Sequence, residues 1–121
     1  MHIYMEDLKK GSHLPIYLVY VTLPVELDAQ ELAESLVYAG HAAGVNILGP
    51  VATVFAWQGE IHKADERILL AQVAGDKLDD FETALRARHP SLVPCILGFE
   101  AAKAHQAFHA WVINPCAGGG K

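Results

Sequence analysis

His105 and His109 stand four residues apart in a segment whose apolar residues recur at helical spacing. Two imidazoles on one helix face are the beginning of a metal site. A third donor would come from His2, His13, His62, His89, Cys95 or Cys116, within one chain or across an interface. Without it, both rings face solvent on a helix whose other side carries Phe108 and Trp111. His89 and Cys95, six positions apart, are a second candidate for a soft or borderline cation. The structural alternative is that His89 closes a helix, where a cation suits the dipole. Cys95 as a nucleophile needs a base and a stabilised thiolate. Its neighbours Val93, Ile96 and Leu97 describe a buried, inert thiol instead. Trp57 suits either ligand stacking or the edge of an interface, and Glu60 and Glu66 either a carboxylate cluster or solvated turn charges. No Ser-His-Asp set, HExxH or phosphate-cradling glycine loop is present, since Gly118-Gly119-Gly120 follows no strand and precedes no helix. The expectation is a non-enzymatic protein.

These residues need elements to position them. Pro15 opens a β-branched, aromatic run over 16–23, apolar on both faces as a central strand is, and Pro24 ends it. Asp28 with Glu31 forms an Asp version of a capping box, and the spacing of Leu32, Ala33, Leu36, Val37 and Gly40 predicts a helix over 28–43 stopped by Gly44. The next strand starts at 45–48, is interrupted by Gly49-Pro50 and resumes over 51–57. Proline cannot donate to a ladder, so the interruption predicts a bulge. Trp57-Gln58-Gly59-Glu60 is a tight turn, and the chain returns as a strand over 67–74. Asp76 and Asp79 are read as caps of a second helix carrying Leu78, Phe81 and Leu85, which Pro90 forbids from continuing. Residues 93–99 form a fourth strand and 101–113 a last helix.

Strand, helix, strand, strand, helix, strand, helix is the order of an α+β, ferredoxin-like βαββαβ sandwich with an added C-terminal helix. Right-handed crossovers put both main helices on one face of the antiparallel sheet. The strands are apolar on both faces, so the other face must be covered by further copies of the chain. The domain is placed at 15–113, between an N-terminal arm (1–14) and a flexible tail (114–121). With 121 residues, 52% of them hydrophobic, there is enough material for one core. The net charge of −5 and the lack of any Lys/Arg cluster denser than Lys9-Lys10 argue against nucleic acid as a partner. No apolar run approaches the length of a membrane span, and no signal peptide is visible at the start. Two cysteines far apart without CxxC spacing make a reduced, cytoplasmic setting the default.

Taken together, Val21-Thr22-Leu23-Pro24, Ala29-Gln30-Glu31-Leu32-Ala33, Ala42-Ala43-Gly44-Val45-Asn46, Trp57-Gln58-Gly59, Glu66, His89-Pro90, Pro94 and Phe108-His109-Ala110-Trp111 follow one another in a known order. The chain resembles the CutA divalent-cation-tolerance family of small trimeric ferredoxin-like proteins over residues 16–112. His89 falls on that family's histidine before proline. Four positions depart from its pattern: Gly44 stands where cysteine is common, Gln72-Val73 where Lys-Thr is, Cys95 where glutamate is and Glu60 where lysine is. The resemblance implies a homotrimer in divalent-cation tolerance, with copper or a similar ion bound weakly if at all and no cofactor required; the ligand candidates His89, Cys95, His105 and His109 come from the reading of the residues above. The alternative is a PII-like trimeric sensor that binds a small molecule in a cleft between subunits.

Overall fold

The computed structural model describes residues 13–116. His2, Lys9-Lys10, the glycine run and most of the expected arm and tail lie outside them. The described chain runs β1 (Ile16–Pro24), α1 (Ala29–Tyr38), β2 (Gly44–Trp57), β3 (Glu60–Ala74), a 3-10 turn (Gly75–Lys77), α2 (Leu78–Arg88), β4 (Ile96–Glu100) and α3 (Gln106–Ile113). The sheet is antiparallel in the order β2-β3-β1-β4. The expected ferredoxin-like plan with an extra helix is what is observed.

Alternation along the strands sorts the sheet into two faces. Val19, Val21 and Leu23 of β1 and Leu69, Ala71 and Val73 of β3 meet Leu32 and Leu36 of α1 and Phe81 and Leu85 of α2 in one buried core. Burying these side chains is the main favourable term for the monomer. Arg88 of α2 pairs with Glu31 of α1 across the outside of this layer.

The element ends differ from the sequence expectations for local reasons. Asp28 does cap α1, its Oδ1 accepting from Glu31 N at 3.0 Å, but the helix stops at Tyr38 rather than 43. Gly40 takes φ 79°. It donates to Val37 O while His41 donates to Leu36 O, both at 3.0 Å, which is a Schellman closure. Gly44 is therefore the first residue of β2, not a helix stop. Asp76 does not cap α2: it lies in the 3-10 turn, and no side chain caps the helix start at Lys77. Strand β3 begins at Glu60, well before 67, because Gln58 (φ 50°) and Gly59 (φ 81°) make a two-residue turn that lets pairing start at Trp57 opposite Glu60. Strand β4 begins only at Ile96 because Pro94 offers no N–H to a ladder. Residues 101–105 are not helical, with Ala101 N donating to Ile16 O, so α3 starts at Gln106.

The second sheet face was expected to lack helical cover altogether, and α3 partly provides it. The Trp111 ring lies 3.1 Å from where a Cβ on Gly44 would sit, beside Gln72, and Phe108 borders Leu18. Gln72, Leu18 and Gly44 all belong to the face opposite the core. Helix α3 thus covers one end of that face. Leu97 and Phe99, on the edge strand β4 of the same face, stay 51% and 55% exposed. The far end of the β2–β3 hairpin extends beyond the helices. There Val54 and Ile61, on the helix side of the hairpin, are 63% and 71% exposed.

Candidate functional site

The other end of the open face is a cleft of about 560 Å³. Its floor follows from strand alternation. Tyr20, Thr22 and Pro24 project from β1 at every second residue, and Glu66 of β3 pairs with Pro24. The wall from β2 depends on the bulge. Leu48 pairs with Ile68 and Val51 with Glu66, so β2 spends three steps where β3 spends two. One residue is absorbed at Gly49-Pro50, and the open-face side chains change from even to odd numbers. That change turns Thr53 and Phe55 into the cleft; Phe55 stacks on His62 with centroids 5.4 Å apart.

The roof is the connection from α2 to β4, and His89 pins it. The ring Nε2 lies 2.8 Å from Thr22 O, and Nδ1 accepts from Ser91 N at 3.1 Å. With Nδ1 accepting, Nε2 carries the proton and donates to Thr22, so the hydrogen bonds assign the neutral Nε2–H tautomer. Ser91 Oγ in turn accepts from Val93 N at 3.1 Å. His89 thus closes α2, but as a neutral ring tied to Thr22 of β1 rather than as a cation facing the helix dipole, and it has no ring lone pair left for a metal.

The expectation of a deeply buried Cys95 is corrected. The residue is half-buried, just before β4, and lines the cleft, because Pro94 keeps this stretch out of the sheet. Cys116 is exposed and both thiols are free. Glu66 is the single side chain lining the cleft that carries a formal charge with His89 neutral. None of the ion pairs among the described residues involves it. The cleft can therefore seat a small molecule against apolar walls and offer it one carboxylate and several hydroxyls.

His105 and His109 are elsewhere. His105 is the residue before α3, its Nδ1 accepting from Ala107 N at 3.2 Å. His109 Nε2 lies 2.8 Å from Leu14 O, beyond the start of β1. His89 contacts Thr22 near the other end of that strand. The stretch of β1 between them, from Ile16 to Thr22, alone rises roughly 20 Å at about 3.3 Å per residue. The four candidate ligands thus form two separate pairs. Among the described residues no three of His, Cys, Asp and Glu gather as a metal-holding group. Sequence reasoning found His89, Cys95 and Glu66 but did not assemble them with Tyr20, Thr22, Thr53 and Phe55. The usable signal was the period-two spacing of 20, 22 and 24, together with the face change at the bulge.

The sequence profile of the CutA1 divalent ion tolerance proteins matches residues 17–114, nearly the whole described chain. The chain belongs to the CutA1 family. It is 30% identical over 95 residues to the divalent-cation tolerance protein CutA of Thermus thermophilus, covering 78% of this chain and 92% of that one. The solved structure of that CutA1 superposes with a TM-score of 0.77, covering 80% and 94% of the two chains at 29% identity. CutA1 from Oryza sativa superposes at 0.79, with 27% identity and 84% and 93% covered. A protein described as PII-like, CutA from Nostoc sp. PCC 7120, shares the fold at 0.73 with 23% identity, covering 81% and 92%. Among the described CutA1 residues no helix is long and apolar enough to cross a membrane.

Proposed function

We propose that this CutA1-family chain is a non-enzymatic homotrimer of the divalent-cation response whose working site is the cleft walled by Glu66, His89 and Cys95. The observation that carries this reading is the convergence of three strands and the pinned α2–β4 connection on one cavity of about 560 Å³. Copper or a similar ion binds weakly in this account. Cys95 Sγ is the soft donor this cleft offers, while His89 orients the roof without ligating. The rival location is the His105–His109 pair, where only Nδ1 of His109 keeps a free lone pair unless the rings rearrange. Copper-dependent thermal shifts separate the two sites, since an ion that binds the folded state raises apparent stability. Loss of the copper shift in Cys95→Ser but not in the His105→Ala/His109→Ala double variant supports the cleft, and the reverse pattern assigns copper to the histidine pair. Equal shifts in all three proteins remove copper from both. Free Cys95 and Cys116 favour a reducing, cytoplasmic setting.

A second reading, a small-molecule sensor of the PII-like kind, is favoured by the size of the cleft. About 560 Å³ lies within the range of small-molecule sites and is far more than a bare ion needs. Screening nucleotides and other metabolites beside metal ions in the same thermal-shift assay tests it. A set in which only ions stabilise the protein discards the sensor.

A further inference from the structure

We infer that Leu92 of one copy docks into the groove between α1 and β2 of the next copy, a peg and socket that join the ring edge to edge. The inference rests on the homotrimer reading and goes beyond it by naming the surfaces that meet. The peg comes from the connection between α2 and β4. Leu92 is 98% exposed, more than any other large apolar side chain among the described residues. Ser91 and Val93 on either side of it line the cleft and Leu92 does not, so its side chain leaves the open face. The loop that carries it is pinned. His89 Nδ1 accepts from Ser91 N, Ser91 Oγ accepts from Val93 N, and Pro90 and Pro94 restrict the backbone at both ends. An apolar side chain held out on such a loop has little freedom left to lose on docking.

The socket lies at the other edge of the sheet. The stripe Gln30, Ala33 and Val37 of α1 faces Val45 and Ile47 of β2 across a groove of about 400 Å³. Ala33 has the smallest of these side chains and keeps the groove open, while Val37 and Ile47 remain 41% and 40% exposed.

Symmetry explains why one chain carries both. A closed trimer repeats one head-to-tail contact, so each copy must present two different, complementary patches. The order β2-β3-β1-β4 places β2 and β4 at the two edges, and neither outer edge has a strand partner among the described residues. Peg and socket stand beside those two edges. Their heights also agree. Ile96, Val21, Leu69 and Ile47 form one row across the sheet, so the loop leading into Ile96 stands at the Ile47 end of the groove. Rotation about an axis along the strands preserves height and brings Leu92 of one copy to Ile47 of the next. A two-fold dimer cannot use this contact twice, because the patches lie on opposite edges.

The test uses the full chain in a Cys95→Ser/Cys116→Ser background. Leu92→Cys is combined with Gln30→Cys or with Val37→Cys on the rim of the groove, and each protein is oxidised in dilute solution. Three strand spacings, about 14 Å, separate β2 from β4 within one chain, beyond the reach of a disulfide, so the bond can form only between copies. At least one pair is expected to give a band of three chain masses on a non-reducing denaturing gel, which no single-cysteine protein can give. Leu92→Asp, at a fully exposed position that the monomer does not need, should raise the concentration at which half the chains are trimeric by about tenfold or more. A parent that is trimeric by light scattering but gives no three-chain band in either pair, or whose Leu92→Asp variant assembles as tightly as the parent, overturns the inference while the homotrimer stands. A monomeric parent removes both.

Discussion

At the scale of single residues, His89 is the side chain on which the cleft most depends. One imidazole joins three pieces of backbone: the end of α2, Thr22 of β1 through Nε2, and Ser91 through Nδ1. Neither partner has a substitute in the alanine variant, and the Thr22 carbonyl is part-buried. His89→Ala is therefore expected to cost about 1–3 kcal/mol of folding stability, read as a lower urea midpoint with an unchanged denaturant slope. An unchanged midpoint would show that the roof holds without the ring. Asn, which can reproduce one of the two bonds, should fall between. The same geometry explains why His89 was legible only as an alternative. A histidine before proline announces a helix end from sequence, but its bond to Thr22 spans 67 positions and no local pattern encodes it.

At the scale of elements, the bulge in β2 sets which residues reach the cleft. Gly49 has φ 113°, a conformation that a residue with a Cβ adopts only under strain. A Cβ there would also lie 3.0 Å from Glu66 O and 3.1 Å from Val51 N. Gly49→Ala is thus expected to destabilise the fold by about 1–3 kcal/mol, and to disturb the pairing of Val51 with Glu66 before distant strands are affected. Amide exchange that is faster at Val51 and Arg67 than at Leu69 and Val73 would show this; uniform loosening would count against a local role for the bulge. The interruption itself was readable, because glycine and proline together cannot continue a ladder. Its effect on the face change was not, since that depends on how β3 pairs across the gap. Element order and both core helices were likewise visible in hydrophobic spacing. The ends were less so: α1 stops at Tyr38 because Gly40, just past it, takes the left-handed conformation, and Gly44 carried the same signal without using it. The start of α3 differs from expectation for a different reason. Residues 101–105 are compatible with a helix, but Ala101 is held beside Ile16 by β1, and His105 then serves as the cap. That displaced start is what separates His105 from the metal geometry expected of two histidines in one helix.

At the scale of the whole molecule, the described chain leaves an apolar sheet face incompletely covered. Leu97 and Phe99 are exposed beyond the reach of α3, and the β2–β3 hairpin carries Phe55 and Trp57 on one side and Val54 and Ile61 on the other. Self-association into a closed ring covers such a face and protects strand edges, and the preference for three copies comes from the family resemblance. Light scattering of the dilute protein is expected to give three chain masses, and the melting temperature should rise with protein concentration, as mass action requires of a folded state that is also an assembled one. Leu97→Asp and Phe99→Asp, which leave the helix-side core untouched, should shift the mass downward. A stable, folded monomer of the parent at micromolar concentration would sink the proposal. The order of the strands has another consequence, which concerns how the chain is made. Strand β1 lies between β3 and β4, with Tyr17 opposite both Val73 and Glu100. It leaves the ribosome first, while its second neighbour is not translated until residue 100. At 5–20 residues per second that interval is roughly 4–15 s. Meanwhile β2 and β3 can zip together through their own turn. The nascent chain therefore carries an apolar strand with an unsatisfied edge for seconds, and the segment at the centre of the finished sheet is the one most in need of a chaperone during translation.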